Sequence, residues 1–447
     1  MVKGKTLNII MVSVLVVALV AVSCLYIFGV FGKQIEKFNK ALLGVGAGTE
    51  QGFGIDKDGN LYGWGKNDKG QLGDGSYSNK SSPTKITLGS ENNVAGVGRG
   101  VLTSDGDEGG GLTFIAVSSA ATHTIAIDSQ GDVWGWGFNN AGRLMGSNDL
   151  SPEGTDNFAP TKIPGLEGKN IKFVVAGLYN NLAIDGDGFL WSWGNAFGYE
   201  GSSLGLGELA STVYPQAPAQ ITSTGSVTFT TASIGNGFSL ALDTDGNVWV
   251  WGRNTLDGVL GNGAYWDQTL EATGGNDYND PVKLTAFDGN EIIAISAGAS
   301  HSLAVDINGN VWAWGSNAKS QLGQNGVVKN PTPQKLTIDA VITSVGAGSE
   351  HSVALDNQGK IWVWGGNASD CVLGLGKGAG IQVVTPTQLE TEASFVEIAV
   401  GYWHTLAIDE DGNLWGFGDN SVGQLGDGTT GDKNVPTQLT FVAKDEA

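Results

Sequence analysis

Apolar and polar positions alternate in short runs along most of this chain. In "HSLAVD" (301–306) and "VWAWG" (311–315) every second side chain falls on the same face, the period of a β-strand. Between them stands "INGN", and an Asp-x-[Asp/Asn/Gln]-Gly turn joining two such runs predicts a hairpin whose glycine takes a positive φ. A further alternating run, "IIAISAG" (292–298), precedes the pair. A "SQLG" turn and a polar loop come after it, and a last strand is expected near Pro333 and "QKL" (334–336). The unit therefore reads as four short strands.

The unit recurs. Aligned on Trp-Gly, its copies are "GIDKDGNLYGWG" (54–65), "AIDSQGDVWGWG" (126–137), "AIDGDGFLWSWG" (183–194), "ALDTDGNVWVWG" (241–252), "AVDINGNVWAWG" (304–315), "ALDNQGKIWVWG" (354–365) and "AIDEDGNLWGFG" (407–418). The second aromatic falls at Trp64, Trp136, Trp193, Trp251, Trp314, Trp364 and Phe417, at spacings of 50 to 72 residues. A single four-stranded sheet cannot bury both faces, whereas radially stacked neighbours can, and closing the ring protects the edges. The fold class expected is all-β, a seven-bladed β-propeller from about residue 41 to 441 with the two ends of the chain meeting in the ring.

One segment breaks the alternation. "LNIIMVSVLVVALVAVSCLYIFGVFG" (7–32) is apolar and uncharged, long enough at ~1.5 Å per residue to cross a ~30 Å hydrocarbon layer. It exceeds the apolar region of an ordinary cleaved signal. The domains expected are thus 1–40, one N-terminal transmembrane helix with a short linker, and 41–447, the propeller. "AVSC" (21–24) also reads as a lipoprotein cleavage box with Cys24 lipidated, and "VKG" before the apolar run as a pilin-like leader cut after Gly4. Lys3 and Lys5 on one side balance Lys33, Lys37 and Lys40 on the other, so loop charge does not fix the orientation. A lone N-terminal anchor ordinarily exports the domain behind it, so the propeller is expected outside the cytoplasm, at the cell surface.

Charge removes one class of partner. The net charge is −21, and beyond residue 40 there remain 19 basic and 44 acidic side chains. No basic stripe is present to neutralise phosphates, so no nucleic-acid partner is expected. The 71 glycines suit a chain with many tight turns. The two cysteines, Cys24 and Cys371, do not suggest a disulfide framework.

The repeated residues read as scaffold. His123, His301, His351 and His404 all occupy one position of the unit, where the other copies carry Gln51, Asn180 and Phe238. A catalytic base is needed once, so residues recurring in this way are expected to tuck into each blade and bond backbone. Twelve of the 14 tryptophans lie in the Trp-x-Trp-Gly strands, where they would fill the space between sheets. The acidic turns "DKDGN" (56–60), "DTDGN" (243–247) and "DEDGN" (409–413) place glycine fourth, not sixth as a helix-loop-helix calcium loop does, and read as hairpins. No catalytic residue, cofactor site or metal site is assigned.

The order Ala-Gly-x-x-His, Asp-x-x-Gly, Trp-Gly, Gly-Gln-Leu-Gly carries a resemblance. "AGASHSLAVDINGNVWAWGSNAKSQLG" (297–323), "KNDKGQLGDG" (66–75) and "DNSVGQLGDG" (419–428) resemble the regulator-of-chromosome-condensation repeat, over the whole chain after about residue 41. Units three and six depart, with "NAFGYEGSSLGLG" (195–207) and "NASDCVLGLG" (367–376) in place of the last element. The resemblance implies a seven-bladed propeller. It also brings three family activities as expectations: guanine-nucleotide exchange on a small GTPase by the founding member, β-lactamase inhibition by a secreted bacterial member, and ultraviolet-B reception through clustered Trp in a plant member. The last also uses Arg partners, and this chain holds only Arg99, Arg143 and Arg253. The matching motifs form the fold, so no exchange residues carry over.

Recognition should then lie in what differs between units. The long insertions are 89–111, 146–160, 197–220 and 261–280; the last three come after the Trp-Gly strand and should emerge on one face. Tyr265 and Trp266, outside the repeat pattern, are the leading candidate partner contacts, with Tyr199, Tyr214 and Phe158 in the sister loops. The function expected is a membrane-anchored, extracytoplasmic recognition propeller on a prokaryotic-type membrane, binding a protein or glycan through its loops. The alternatives are an exchange-factor-like regulator of a small GTPase and a pilin-like filament subunit displaying the propeller.

Overall fold

The computed structural model describes residues 42–87, 112–139, 142, 144, 157–195, 203–207, 216–265, 277–287, 289–368, 371–378 and 380–440. The expected transmembrane helix (7–32), Cys24 and the 89–111 insertion lie outside them. No helix among the described residues is long and apolar enough to cross a membrane.

Seven four-stranded antiparallel sheets make up the described chain, each built from strands consecutive in sequence. In the first blade they are Leu42–Ala47, Gln51–Asp56, Leu61–Gly65 and Lys80–Lys85. In each later blade the first strand is Phe114–Ser119, Phe173–Ala176, Phe229–Ile234, Ile292–Ala297, Ile342–Ala347 and Phe395–Val400 in turn. Each of these touches the first strand of the next blade, and Phe395–Val400 returns to Leu42–Ala47. The seven first strands thus ring the central axis, and the first and last blades meet.

The hairpin between second and third strands obeys the Asp-x-x-Gly prediction. In blade 1, Gly59 N–H donates to Asp56 O at 3.0 Å and Asp56 N–H to Asn60 O at 3.0 Å, with Gly59 at φ +78°. That is a type I turn closed by a left-handed residue, the geometry of a three-residue hairpin loop. The fourth strands carry proline (Pro83, Pro160, Pro218, Pro281, Pro331, Pro386, Pro436). Proline suits an outermost strand because its missing N–H weakens an exposed edge as a pairing template.

The core lies between blades. The second aromatics, Trp64 through Phe417, are buried at 0–1 % exposure. The Trp364 indole packs with Leu303, Val305 and Leu322 of the preceding blade, and Trp64 with Leu406, Ile408 and Leu425 of the last. Each such ring removes ~150–250 Å² from water. Ring closure therefore rests on the same packing as every other joint.

Candidate functional site

The polar groups of the repeat are consumed inside the scaffold. Asp306 Oδ1 accepts the N–H groups of Asn308 and Asn310, both at 3.0 Å, while Oδ2 accepts the Trp312 indole N–H at 3.2 Å. Burial alone would raise the Asp306 pKa, but these bonds and those from the Asn310 side chain outweigh it and hold the carboxyl below its ordinary value. The same aspartate-to-indole bond forms at Asp128–Trp134, Asp185–Trp191, Asp243–Trp249, Asp356–Trp362 and Asp409–Trp415. These carboxylates brace the hairpins.

The Gln-Leu-Gly turn clasps the next blade. Gln321 O accepts both the Trp364 indole N–H at 2.8 Å and the Ser352 hydroxyl at 2.7 Å, and Gln71 O accepts Trp136 and Thr124 in the same way. Gly73, at φ +76°, gives the Trp136 ring its room: a Cβ there would stand 2.8 Å from the indole. The acceptor is a main-chain oxygen, so the bond survives some departures from the motif, as at Val259 O, which accepts the Trp314 indole N–H at 2.9 Å, and is lost in two others. Ser203 replaces the glutamine before blade 4, and the Trp251 indole N–H finds no acceptor among the described residues. Val372 replaces it before blade 7, and the tryptophan there has become Phe417, which needs none.

The histidines are buried at 0 % exposure. The expectation that they bond backbone within their own blade is corrected for two of them. His123 Nε2 bonds Asn181 Oδ1 at 2.8 Å and His301 Nε2 bonds Ser352 Oγ at 2.9 Å, each a side chain of the following blade. The preceding Gly of Ala-Gly-x-x-His makes the space: a Cβ at Gly298 would lie 2.7 Å from His301 Cε1 and 2.5 Å from Gly348 O. Burial drives His301 and His351 down to about 3 and His404 down to about 4. They are neutral spacers at physiological pH, sealed from substrate.

What remains for recognition is the face carrying the first-to-second turns and the third-to-fourth loops. Both sit at one end of the blade, as the Lys66 N–H to Glu50 O bond (2.9 Å) shows. The hairpins and blade-to-blade connections form the opposite face, where Phe114 N–H donates to Gly59 O at 2.8 Å. The described ends of the insertions after the Trp-Gly strands (203–207, 261–265 and the residues leading into the fourth strands) lie at that face. Successive rim loops are stitched together: Gly75 N–H donates to Phe158 O, Gly263 to Pro331 O, Gly376 to Asn434 O and Gly428 to Ser81 O.

Of the sequence candidates, Tyr265 stands 48 % exposed on blade 4, with the Lys329 ammonium 4.3 Å above its ring. Phe158 lies in the fourth strand of blade 2 (Asn157–Lys162), half-buried against Tyr77 of blade 1 at 5.7 Å between centroids. The two are separated by blade 3 and do not form one site. Trp266, Tyr199 and Tyr214 lie outside the described residues. Sequence reading missed Tyr402 and Trp403, an edge-on aromatic pair (5.2 Å) in the first-to-second turn of blade 7 on the loop face. Trp403 could have been found, because with Trp266 it is one of two tryptophans outside the Trp-x-Trp-Gly strands.

Known proteins share this architecture. The chain is 27% identical over 390 residues to the ultraviolet-B receptor UVR8 of Arabidopsis thaliana, covering 86% of this chain and 78% of that one. It spans 65% of the mitochondrial RCC1 domain-containing protein RUG3 of Arabidopsis and 5% of human E3 ubiquitin-protein ligase HERC2, at 27% and 28% identity. The fold matches that of human WBSCR16 (TM-score 0.69, 19% identity, 85% of this chain and 94% of that one). It also matches Prp20p from Saccharomyces cerevisiae (TM-score 0.67, 22% identity, 91% and 89%). Regulator of chromosome condensation repeats match at 58–101, 114–143 and 130–184, and the RCC1-like domain matches 195–447, more than half of the chain. This protein belongs to the RCC1-like propeller family.

Proposed function

We propose that this protein is a recognition propeller, held at a membrane by residues 7–32 and binding a protein or glycan outside the cytoplasm through its loop face. The observation that carries the reading is the division of labour in the repeat. Histidine, tryptophan and glutamine are spent on joining blades and aspartate on bracing hairpins, while exposed aromatics outside the repeat pattern, Tyr265 and Tyr402, sit on the loop face. A rigid ring that positions variable loops suits a scaffold for binding. A protein ligand accords with the family: the structures it resembles include a yeast RCC1 bound to Kap60.

The strand direction supports display. Leu42 pairs with Asp56 beside the hairpin, so the chain enters the propeller on the hairpin face. An anchor preceding it would stand on that side, leaving the loop face directed away from the bilayer.

Protease shaving of intact cells tests the reading, with mass spectrometry of released fragments and of the retained N-terminus. Release of propeller peptides such as 261–280 while cytoplasmic proteins stay protected is the expected result. The retained N-terminus then distinguishes an intact anchor from lipidation at Cys24 and from cleavage after Gly4. A propeller cleaved only after lysis faces inward, and the reading fails.

A further inference from the structure

One position of the rim loop differs between blades in a way that alters the surface. In blades 1, 4, 5, 6 and 7 the first asparagine of the loop has a partner for its backbone N–H. In blades 1, 4 and 7 a side chain supplies it: Asn79 Oδ1 to Asn67 N–H (2.8 Å), Asp277 Oδ1 to Asn254 N–H (2.8 Å), Asp432 Oδ1 to Asn420 N–H (2.9 Å). In blades 5 and 6 the backbone carbonyl does so instead, Val328 O to Asn317 N–H at 2.7 Å and Ile381 O to Asn367 N–H at 2.8 Å. The side chain at that position is then released from capping. Val328 is 71 % exposed and Ile381 79 %, the two most exposed large apolar residues among those described.

A polar residue could hold this position, as three sister blades show, so two adjacent aliphatic ones are not forced by the fold. The surroundings extend the patch. Val327 precedes Val328, and Lys329 Nζ donates to Leu256 O at 2.6 Å while covering Tyr265, which ties the exposed Leu256 and Tyr265 of blade 4 to the same rim. Charge gives the patch a sign. The blade 5 loop, 316–330, holds Lys319 and Lys329 and no acid, in a chain whose net charge is −21. Leu256 O and the Tyr265 ring carry no charge, and among the described residues Lys329 forms no ion pair, although Asp257 follows Leu256 in the chain. A second copy of this acidic chain is disfavoured by that net charge; a segment with carboxylates beside an apolar side chain is favoured.

We infer that the rim of blades 5 and 6 docks an acidic segment of a partner protein, seating an aliphatic or aromatic anchor on Val328 and Ile381 with carboxylates toward Lys319 and Lys329. This rests on the recognition reading above and names the chemistry of its ligand. Single uncapped aliphatics are ordinary on surfaces; here two occupy the equivalent position of adjacent blades, where three sister blades carry a polar cap, and the blade 5 loop adds two lysines and no acid, a combination of the kind that marks an interface.

The test pans a random peptide phage library against the full-length protein in nanodiscs. Enriched peptides should carry Asp or Glu next to Leu, Ile or Phe, weaken with salt, and lose at least tenfold in affinity on Val328→Asn or Ile381→Asn. Those variants install at the same position the residue blade 1 already uses as a cap, so they keep the fold; an unchanged melting temperature verifies this. Lys319→Ala should flatten the salt dependence. Basic or purely apolar peptides, peptides indifferent to both asparagine variants, or no enrichment would each overturn the inference. Peptides lost on Tyr402→Ala but indifferent to the blade 5 and 6 variants would overturn it while leaving loop-face recognition standing.

Discussion

Acidification from pH 7.5 to 5.5 probes the buried joints between blades. His301, His351 and His404 have folded pKa values of about 3, 3 and 4, against about 6.5 when exposed. A depressed histidine contributes stability that is complete above its unfolded value and is lost as pH falls through it, because only the unfolded chain takes up the proton. At pH 5.5 each costs about 1.4 kcal/mol and the three together ~4 kcal/mol, provided only that the folded values lie well below 5.5. Glu397 acts in the opposite sense. It is the one charged side chain in the described inner strands, and its Oε1 accepts the Val45 N–H at 3.3 Å across the seam between the last blade and the first. Burial raises it from 4.5 to about 7. Its folded form therefore prefers the proton, and its penalty shrinks as pH falls from 7 toward 4.5. Over the same window this returns about 2 kcal/mol, an upper figure because the residue keeps some solvent exposure. Asp74, Asp306 and Asp427 have lowered values, so their contribution is lost only at more acid pH. Urea unfolding should show a net loss of ~2 kcal/mol in the wild type and nearer ~4 kcal/mol in Glu397→Gln, which should be the more stable of the two at pH 7.5. His351→Gln, with the residue blade 1 carries at that position as Gln51, should remove about 1.4 kcal/mol of the loss, about two thirds of the net wild-type value and about a third of that in the Glu397→Gln background. Equal stability at both pH values in wild type and Glu397→Gln would refute the burial of the histidines and the seam role of Glu397 together.

Three further substitutions read the scaffold. Trp364→Ala should cost about 3–5 kcal/mol, since it empties the joint between blades 5 and 6, whereas Trp364→Phe should cost only ~1 kcal/mol for the lost bond to Gln321 O; thermal melts distinguish them. Gly348→Ala should destabilise by about 1–3 kcal/mol or prevent folding, because the methyl would overlap the His351 imidazole and stand 2.9 Å from Gly401 O. Asp306→Ala should cost about 2–3 kcal/mol by leaving two hairpin N–H groups and the Trp312 indole without their acceptor, with far-ultraviolet circular dichroism retained at low temperature.

The blade was legible in the sequence because its contacts are local. Strand period, Asp-x-x-Gly turn and Trp-Gly spacing all act within some fifteen residues, and seven copies of the unit set the number of blades. The apolar joints between blades were legible in the tryptophans, but the polar ones were not. His301 meets Ser352 and His123 meets Asn181 only after the ring has set the rotation of one blade against the next, which no periodicity within a unit encodes. The double acceptor role of Gln321 O is invisible for the same reason: it is a backbone atom, and its donors lie 31 and 43 residues away. On the loop face, alternation picked out Tyr265 by its departure from the repeat. Val328 and Ile381 were hidden because their exposure results from a change of acceptor, from side chain to carbonyl, that the residue letters do not announce.

Recognition by the loop face is tested most directly by site-specific photo-crosslinking in the cells that make the protein. Benzoylphenylalanine is placed at Tyr402 or Tyr265 on the loop face and, in parallel, at Asp58 or Asp245 on the hairpin face. Discrete adducts from the loop-face positions, absent from the hairpin face, are the expected result. Adducts confined to the hairpin face, or none from either loop-face position, would contradict the account.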